Sequence, residues 1–296
     1  NGGEVDADTM FRIGSTTKMM TAAAILQLRE QGLVDLEEPL STYLPEYRLG
    51  HPWSADDLDL DLLLSHQSGL LDQYFVNEES TPLMDWVQAT GSYSLPLYAP
   101  PGSFWNYANP NFSLAGAVVE RLGGMPYNQY MAENVWDPSG MPLTTIDPTE
   151  VISTGNYATG YRDGVPMTPL DFTVPMIAPA GSAFSTPSEL VRWALSLQSD
   201  GDGVLSSESK QLMQQRRVSL GYLPSSVANL LMCTEPVFVA IFAYIFLREQ
   251  LTLVEGLGSV LILSGVILLR IREGQMLKKS RRLVAENILH RDIPGD

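Results

Sequence analysis

Cysteine is almost absent from the chain. Cys233 stands alone among 296 residues, so no disulfide closes within it. Histidine is nearly as scarce, at three residues, and no metal cluster, glycine-rich phosphate loop or redox motif can be traced. No cofactor is therefore implied. Positive charge is also short: 18 Lys and Arg face 34 Asp and Glu, for a net charge of −16. That balance excludes the dominant basic surface on which nucleic-acid binding depends. The shortage is uneven, however. Residues 1–217 carry 10 basic and 27 acidic side chains, and the remainder carries 8 and 7. Two pieces of different character are expected, in a chain with room for one large domain or two smaller ones. No signal peptide is found, and the chain opens on Asn1-Gly2-Gly3 rather than methionine, as if it began inside a longer sequence.

What is present begins with Phe11-Arg12-Ile13-Gly14-Ser15-Thr16-Thr17-Lys18, followed by an apolar, small-residue run from Met19 to Leu28. The run predicts a helix starting at the serine and ending at Gly32. Positions three apart share a helix face, which sets the Lys18 amine over the Ser15 hydroxyl. A serine becomes a useful nucleophile only with a base close by, and a lysine serves as that base only where its surroundings keep the amine partly neutral. The same spacing also fits an ordinary N-cap serine and a solvated first-turn lysine. Residues 35–47 read as a loop punctuated by Pro39 and Pro45. Leu58 to Leu64 reads as an apolar helix running into Ser65-His66-Gln67-Ser68-Gly69-Leu70, where His66 is expected to bond local backbone rather than act as a base.

Pro100-Pro101-Gly102 makes a rigid turn ahead of Tyr107-Ala108-Asn109, and Ser113 to Leu122 reads as the helix beyond it. On an extended loop, a Tyr-x-Asn sends both side chains to one side. The phenol can donate or relay a proton, and the amide can hold a carbonyl or the Lys18 amine. An ordinary aromatic turn would look the same. Further on, Thr186, Pro187 and Glu189 have the pattern of an N-cap, first-turn proline and capping-box acid at the start of a helix.

Taken together these stretches resemble the penicillin-recognising serine hydrolases: class C β-lactamases, D-alanyl-D-alanine peptidases and related esterases. The resemblance rests on the Thr9 to Lys18 stretch with its S-x-x-K, on Leu63 to Leu70, and on Pro101-Gly102 with Tyr107-Ala108-Asn109. Gly140-Met141 and Ala180-Gly181 before Ser185-Thr186 complete it. It covers roughly residues 4 to 215 and keeps the family's order and spacing. It implies that Ser15 is the acylated nucleophile and Lys18 its proton acceptor, with Tyr107 sharing in proton transfer and Asn109 positioning a carbonyl-bearing small molecule or peptide. The third motif of such proteins, K-T-G or H-x-G on a strand, is not found; Lys278-Lys279-Ser280 lacks the glycine. The expected fold class is mainly α: the helical part of the serine β-lactamase-like α/β fold, with most of its sheet missing. On that reading the Ser15 helix presents a large apolar patch to solvent, and a lost oxyanion donor lowers turnover by about a hundredfold or more.

From Pro224 the character changes. Val227 to Leu247 and Leu251 to Ile271 are long apolar runs separated by Arg248-Glu249-Gln250. Each is about the length that crosses a bilayer as a helix, although a buried helical hairpin gives a similar pattern. Glu235-Pro236 at membrane depth would face a cavity or partner helices, and Gly256, Gly258 and Gly265 favour close helix packing. Leu223 to Leu269 resembles the last two transmembrane helices of the drug/metabolite transporter superfamily, the EamA-type permeases. The marks are Glu235-Pro236-Val237 and the Phe246 to Glu249 turn.

The expected organisation is a hydrolase-like domain over 1–217, a junction over 218–223, a two-helix hairpin in membrane lipid over 224–271 and a basic tail over 272–296. Basic residues flank both ends of the hairpin, so both termini are expected on the cytoplasmic side, whereas cell-wall-directed hydrolases of this kind work outside. Three readings stay open: a membrane-tethered serine hydrolase, a transport remnant, and an inactive chimera of two gene fragments. No oligomeric state follows from the sequence.

Overall fold

The computed structural model describes residues 4–74, 81–90, 95–172, 174–198 and 203–215. The chain divides into two units, Asn1–Gln215 and Arg216–Asp296, so both apolar runs, the junction and the basic tail lie outside the described residues. Among those described, no helix is long and apolar enough to cross a membrane.

The first unit is built mainly of helices. It opens with β1 (Phe11–Arg12), a 3-10 turn over Gly14–Thr16, and α1 (Thr17–Glu30). Four helices follow: α2 (Leu40–Tyr43), α3 (Leu60–Leu64), α4 (Leu83–Ala89) and α5 (Asn109–Gly123). Next come α6 (Tyr127–Met131), α7 (Pro148–Thr154) and a small hairpin of β2 (Gly160–Arg162) with β3 (Val165–Met167). The unit ends with α8 (Ala178–Gly181), β4 (Phe184–Ser185), α9 (Pro187–Gln198) and α10 (Ser207–Gln214). Strand β4 pairs antiparallel with β1, Phe11 opposite Ser185 and Arg12 opposite Phe184. Sheet among the described residues is thus confined to two pairs of very short strands.

Helices α1, α5 and α8 pack on one another at the centre. Small residues let them approach: Ala23 and Ala24 on α1, Ala115 and Ala117 on α5, and Ala180 on α8 are all fully buried. Gly116 is required where α5 meets α8, because a Cβ there would lie 2.1 Å from Pro179 Cγ. Around this seam Met20, Ile25, Leu28, Leu114, Val118 and Trp136 form the core, each full aliphatic burial contributing about 1.5–3 kcal/mol. At its C-terminus α1 ends in a Schellman turn, with Leu33 N–H donating to Leu28 O at 3.0 Å and Gly32 N–H to Arg29 O at 2.9 Å.

Four expectations need correction. The 35–47 loop contains α2, whose start is set by Pro39 at the N-cap. Helix α5 begins at Asn109 rather than Ser113, because Pro110 in its first turn is already preset for helical φ. The apolar patch expected on α1 is not there: Met20, Ile25, Leu26 and Leu28 are buried, and of its large apolar side chains Met19 is the exposed one. Helices α5, α6, α8 and α10 all pack against α1. Finally, Glu189 N–H donates to Thr186 Oγ1 at 3.2 Å as a capping box requires, but the Glu189 carboxylate is drawn elsewhere. It accepts from Leu143 N–H at 2.8 Å and Thr144 Oγ1 at 2.6 Å, which ties α9 to the segment before α7.

Candidate active site

Ser15 sits in the 3-10 turn that leads into α1, one turn ahead of the lysine. Ser15 is solvent-exposed as a residue, whereas Lys18 is only 6% exposed. The turn is held from both sides. Ile13 N–H donates to Ala183 O at 2.9 Å, and Thr17 Oγ1 donates to Gly14 O at 2.7 Å while accepting from Ala183 N–H at 3.3 Å. The buried amine of Lys18 has three oxygen partners: Ser15 Oγ at 3.1 Å, Asn109 Oδ1 at 2.7 Å and Ala180 O at 2.6 Å. It also lies over the rings of Tyr107, 4.8 Å from the centroid, and Phe112, at 5.6 Å, where the aromatic faces favour a cation.

The Tyr107 hydroxyl is 2.6 Å from Ser15 Oγ. Between Tyr107 and Asn109, Ala108 is extended, with φ −147° and ψ 127°, so both side chains project toward the serine and lysine. The structure therefore brings Ser15, Lys18, Tyr107 and Asn109 into one hydrogen-bonded cluster. Two further partners are given no role by the sequence: the carbonyl of Ala180, within the Ala180-Gly181 stretch, and Asp72. Asp72 Oδ1 accepts from Asn109 N–H at 2.7 Å, and its Oδ2 accepts from the Asn109 side-chain amide at 3.4 Å.

His66 lies beside this cluster and acts on its geometry. It adopts φ +58°, and its Nδ1 accepts from Ala108 N–H at 3.3 Å and from Asn111 Nδ2 at 3.0 Å. Because a backbone N–H can only donate, the ring is neutral, with its proton on Nε2. Asn111 Oδ1 in turn accepts from Ser68 Oγ at 2.5 Å, and Ser68 Oγ accepts from Leu70 N–H at 3.1 Å. The His66 ring packs against Tyr107 with centroids 4.5 Å apart. Backbone bonds from Tyr98 to Gly69, Gly102 to Gln67 and Asn106 to His66, all 2.7–2.8 Å, fasten the two loops along their length.

Burial, and then the Lys18 charge, pushes the His66 pKa down from its usual 6.5 to about 4, with Asp72 opposing. The folded chain therefore binds fewer protons at His66 than the unfolded chain between those values. Its contribution to stability is complete above pH 6.5 and is lost as pH falls through about 4. A shift of that size corresponds to about 3 kcal/mol. Denaturant midpoints measured from pH 7 to pH 4 should fall more steeply in the native chain than in His66→Gln, and equal slopes would remove His66 as the cause.

Among the described residues, no group of three or more His, Cys, Asp or Glu could hold a metal ion. A cavity of about 550 Å³ bounded by Leu83, Tyr127, Ile146, Val174 and Ser182 is not lined by any of the four clustered residues.

Two families match the chain. The Beta-lactamase family model matches residues 1–232, and that of the EamA-like transporter family matches residues 218–271. The putative penicillin-binding protein PbpX of Bacillus subtilis is 33% identical over 135 residues, which is 45% of this chain and 32% of that protein. The D-alanyl-D-alanine-carboxypeptidase/endopeptidase AmpH of Escherichia coli is 29% identical over 63% of this chain and 48% of its own. The chain thus spans about a third to a half of the length of these relatives. Among solved structures, the octameric penicillin-binding protein homologue from Pyrococcus abyssi superposes with a TM-score of 0.62 at 23% identity, over 73% of this chain and 51% of that one, which shows a shared fold. With the S-x-x-K and Tyr-x-Asn side chains gathered at one site and the family model matching the greater part of its length, the chain belongs to the beta-lactamase family of serine hydrolases.

Proposed function

We propose that the chain performs acyl transfer through Ser15 on a carbonyl substrate: a β-lactam, a D-Ala peptide or an ester. The observation that carries the reading is the Ser15 oxygen between the Lys18 amine at 3.1 Å and the Tyr107 hydroxyl at 2.6 Å. As an ammonium, Lys18 satisfies its three N–H groups on three oxygens. As a neutral amine it keeps the two shorter bonds, to Asn109 and Ala180, and turns its lone pair to the Ser15 hydroxyl. Ser15 then attacks the carbonyl carbon and its proton passes to Lys18. Breakdown of the tetrahedral adduct expels the leaving group, which takes a proton from the Tyr107 hydroxyl, itself replenished from Lys18. Water releases the acyl group and restores the serine. The Ser15 N–H, in the turn that opens α1, is the backbone donor we assign to the developing oxyanion.

The decisive experiment is intact mass after incubation with a fluorescent penicillin and, separately, a fluorophosphonate, with Ser15→Ala alongside. A stoichiometric adduct that Ser15→Ala lacks supports the assignment. Full labelling of Ser15→Ala would sink it.

A second reading, an inactive fusion of a hydrolase fragment and a permease fragment, is favoured by the two family matches meeting over 218–232. It requires that dispersed, folded chain takes up neither probe. Separately, the EamA-like match and the two apolar runs support a hairpin of residues 224–271 in membrane lipid, with both termini on the cytoplasmic side. Deletion of residues 224–296 should then release the rest of the chain from washed membranes, and continued pelleting of non-aggregated protein would count against it.

A further inference from the structure

We propose that Asp72 is a positioning residue, one that fixes which end of the Asn109 amide faces Lys18. The inference rests on the acyl-transfer reading above for its consequence, and on geometry for its content. An asparagine amide presents an oxygen and an NH2 group of nearly the same shape, so packing alone chooses poorly between its two orientations. Here Lys18 Nζ lies 2.7 Å from Asn109 Oδ1, while the Asn109 amide nitrogen lies 3.4 Å from Asp72 Oδ2. A carboxylate can only accept and an ammonium can only donate. The reversed amide would aim NH2 at the lysine and oxygen at the aspartate, losing both contacts. Lys18 and Asp72 thus select the same orientation, and Asp72 is the partner that holds the nitrogen end of the amide.

Asp72 is solvent-exposed, so its effect cannot rest on long-range charge, which water and salt screen. It rests on where the carboxylate is held, and the segment around it is anchored at both ends. Two residues before it, Leu70 O accepts from Asn106 Nδ2 at 2.8 Å and Leu70 N–H donates to Ser68 Oγ. Two residues after it, the Tyr74 hydroxyl meets Ser113 Oγ of α5 at 2.6 Å, and its ring packs against Trp86. Asp72 Oδ1 also takes the Asn109 N–H at 2.7 Å, in the first turn of α5, where an anion is favoured. That bond fixes the Asn109 backbone while Oδ2 fixes its side chain.

The plainer role, a helix cap and nothing more, makes a different prediction. Asparagine caps helices about as well as aspartate, so a cap alone predicts that Asp72→Asn behaves like the native chain. If Asp72 positions Asn109, the new amide keeps one oxygen for the Asn109 N–H and turns its NH2 against the Asn109 NH2. The Asn109 amide is then pushed from its native position, and its bond to Lys18 weakens.

The test measures fluorophosphonate labelling rates by intact mass for Asp72→Asn, Asp72→Ala, Asn109→Ala and Asp72→Ala/Asn109→Ala, with thermal midpoints for each. We expect both Asp72 variants to label about tenfold more slowly, as does Asn109→Ala, and the double variant to be no slower than the slower single one. Native-like labelling by Asp72→Asn, or multiplying losses in the double variant, overturns the proposal. A second arm needs no activity: the side-chain NH2 resonances of Asn109 in a ¹H–¹⁵N spectrum should move in Asp72→Asn without loss of folding. If the native chain takes no label, the acyl-transfer reading fails, and those resonances alone decide Asp72; unchanged signals overturn it.

Discussion

Lys18→Ala is expected to slow acylation of Ser15 by at least about a hundredfold, the usual contribution of a positioned general base. The expectation follows from how completely the amine is enclosed. It is 6% exposed and bonded to Ser15, Asn109 and Ala180, and the one other side chain on the Ser15 hydroxyl among those described, Tyr107, is a phenol and a far weaker base than an amine. The substitution also leaves the Ala180 carbonyl without its amine donor, a loss of about 1–3 kcal/mol for a buried acceptor. A midpoint measured beside the labelling rate separates the two effects, since lost stability alone leaves the folded fraction fully reactive well below the midpoint. Lys18→Arg should fare little better, because a guanidinium does not give up its proton at any working pH. Labelling of Lys18→Ala within a few-fold of the native rate would end the assignment of Lys18 as base.

Gly69→Ala is the second large effect, and it acts through the fold. Gly69 has φ +75°, and a Cβ there would lie 2.1 Å from the Ala99 carbonyl oxygen, a backbone atom that cannot swing aside. Left-handed backbone costs an L-residue about 1–2 kcal/mol, and forced overpacking adds about 1–3 kcal/mol, so a loss of about 3 kcal/mol is expected. Gly32 supplies the control: its φ is +73°, but nothing lies within 4 Å of the same added atom. Gly32→Ala should therefore lose only the backbone part, about 1–2 kcal/mol. Because the loop carrying Tyr107 hangs from residues 66–70, Gly69→Ala should also slow labelling at temperatures where the chain is still folded. Equal midpoints for the two variants would show that the Gly69–Ala99 approach is not rigid.

The contrast between these two residues and Asp72 explains what the sequence could and could not reveal. Ser15 and Lys18 are three apart at a helix start, and helical geometry alone predicts their contact. Tyr107 and Asn109 are legible as a pair because an extended Ala108 sends both one way, and the family resemblance says toward what. His66 is only partly legible: the turn suggests bonds to local backbone, but its ring bonds Ala108 N–H and the Asn111 amide, 42 and 45 residues along the chain. The contacts of Asp72 and of the Ala180 carbonyl are not legible, although Ala180-Gly181 stands out as a stretch, because each is defined by a partner far along the chain: Asn109 is 37 residues from Asp72, and Lys18 is 162 from Ala180. A backbone carbonyl has no residue type by which to be noticed. Glu189 is half legible: the capping pattern predicts the helix start, whereas the competing donors, Leu143 N–H and the Thr144 hydroxyl, meet it only in the folded chain.

The bond from Lys18 to Ala180 also says when during synthesis such a site can form. Translation delivers Lys18 162 residues ahead of the Ala180 carbonyl that holds its amine. Contacts of such high sequence separation are the slow ones to close. On the acyl-transfer reading, a ribosome-bound chain thus carries Ser15 long before it can carry an activated Ser15. On that reading, the reactive state is reserved for chains whose α8 has already docked against α1 and α5.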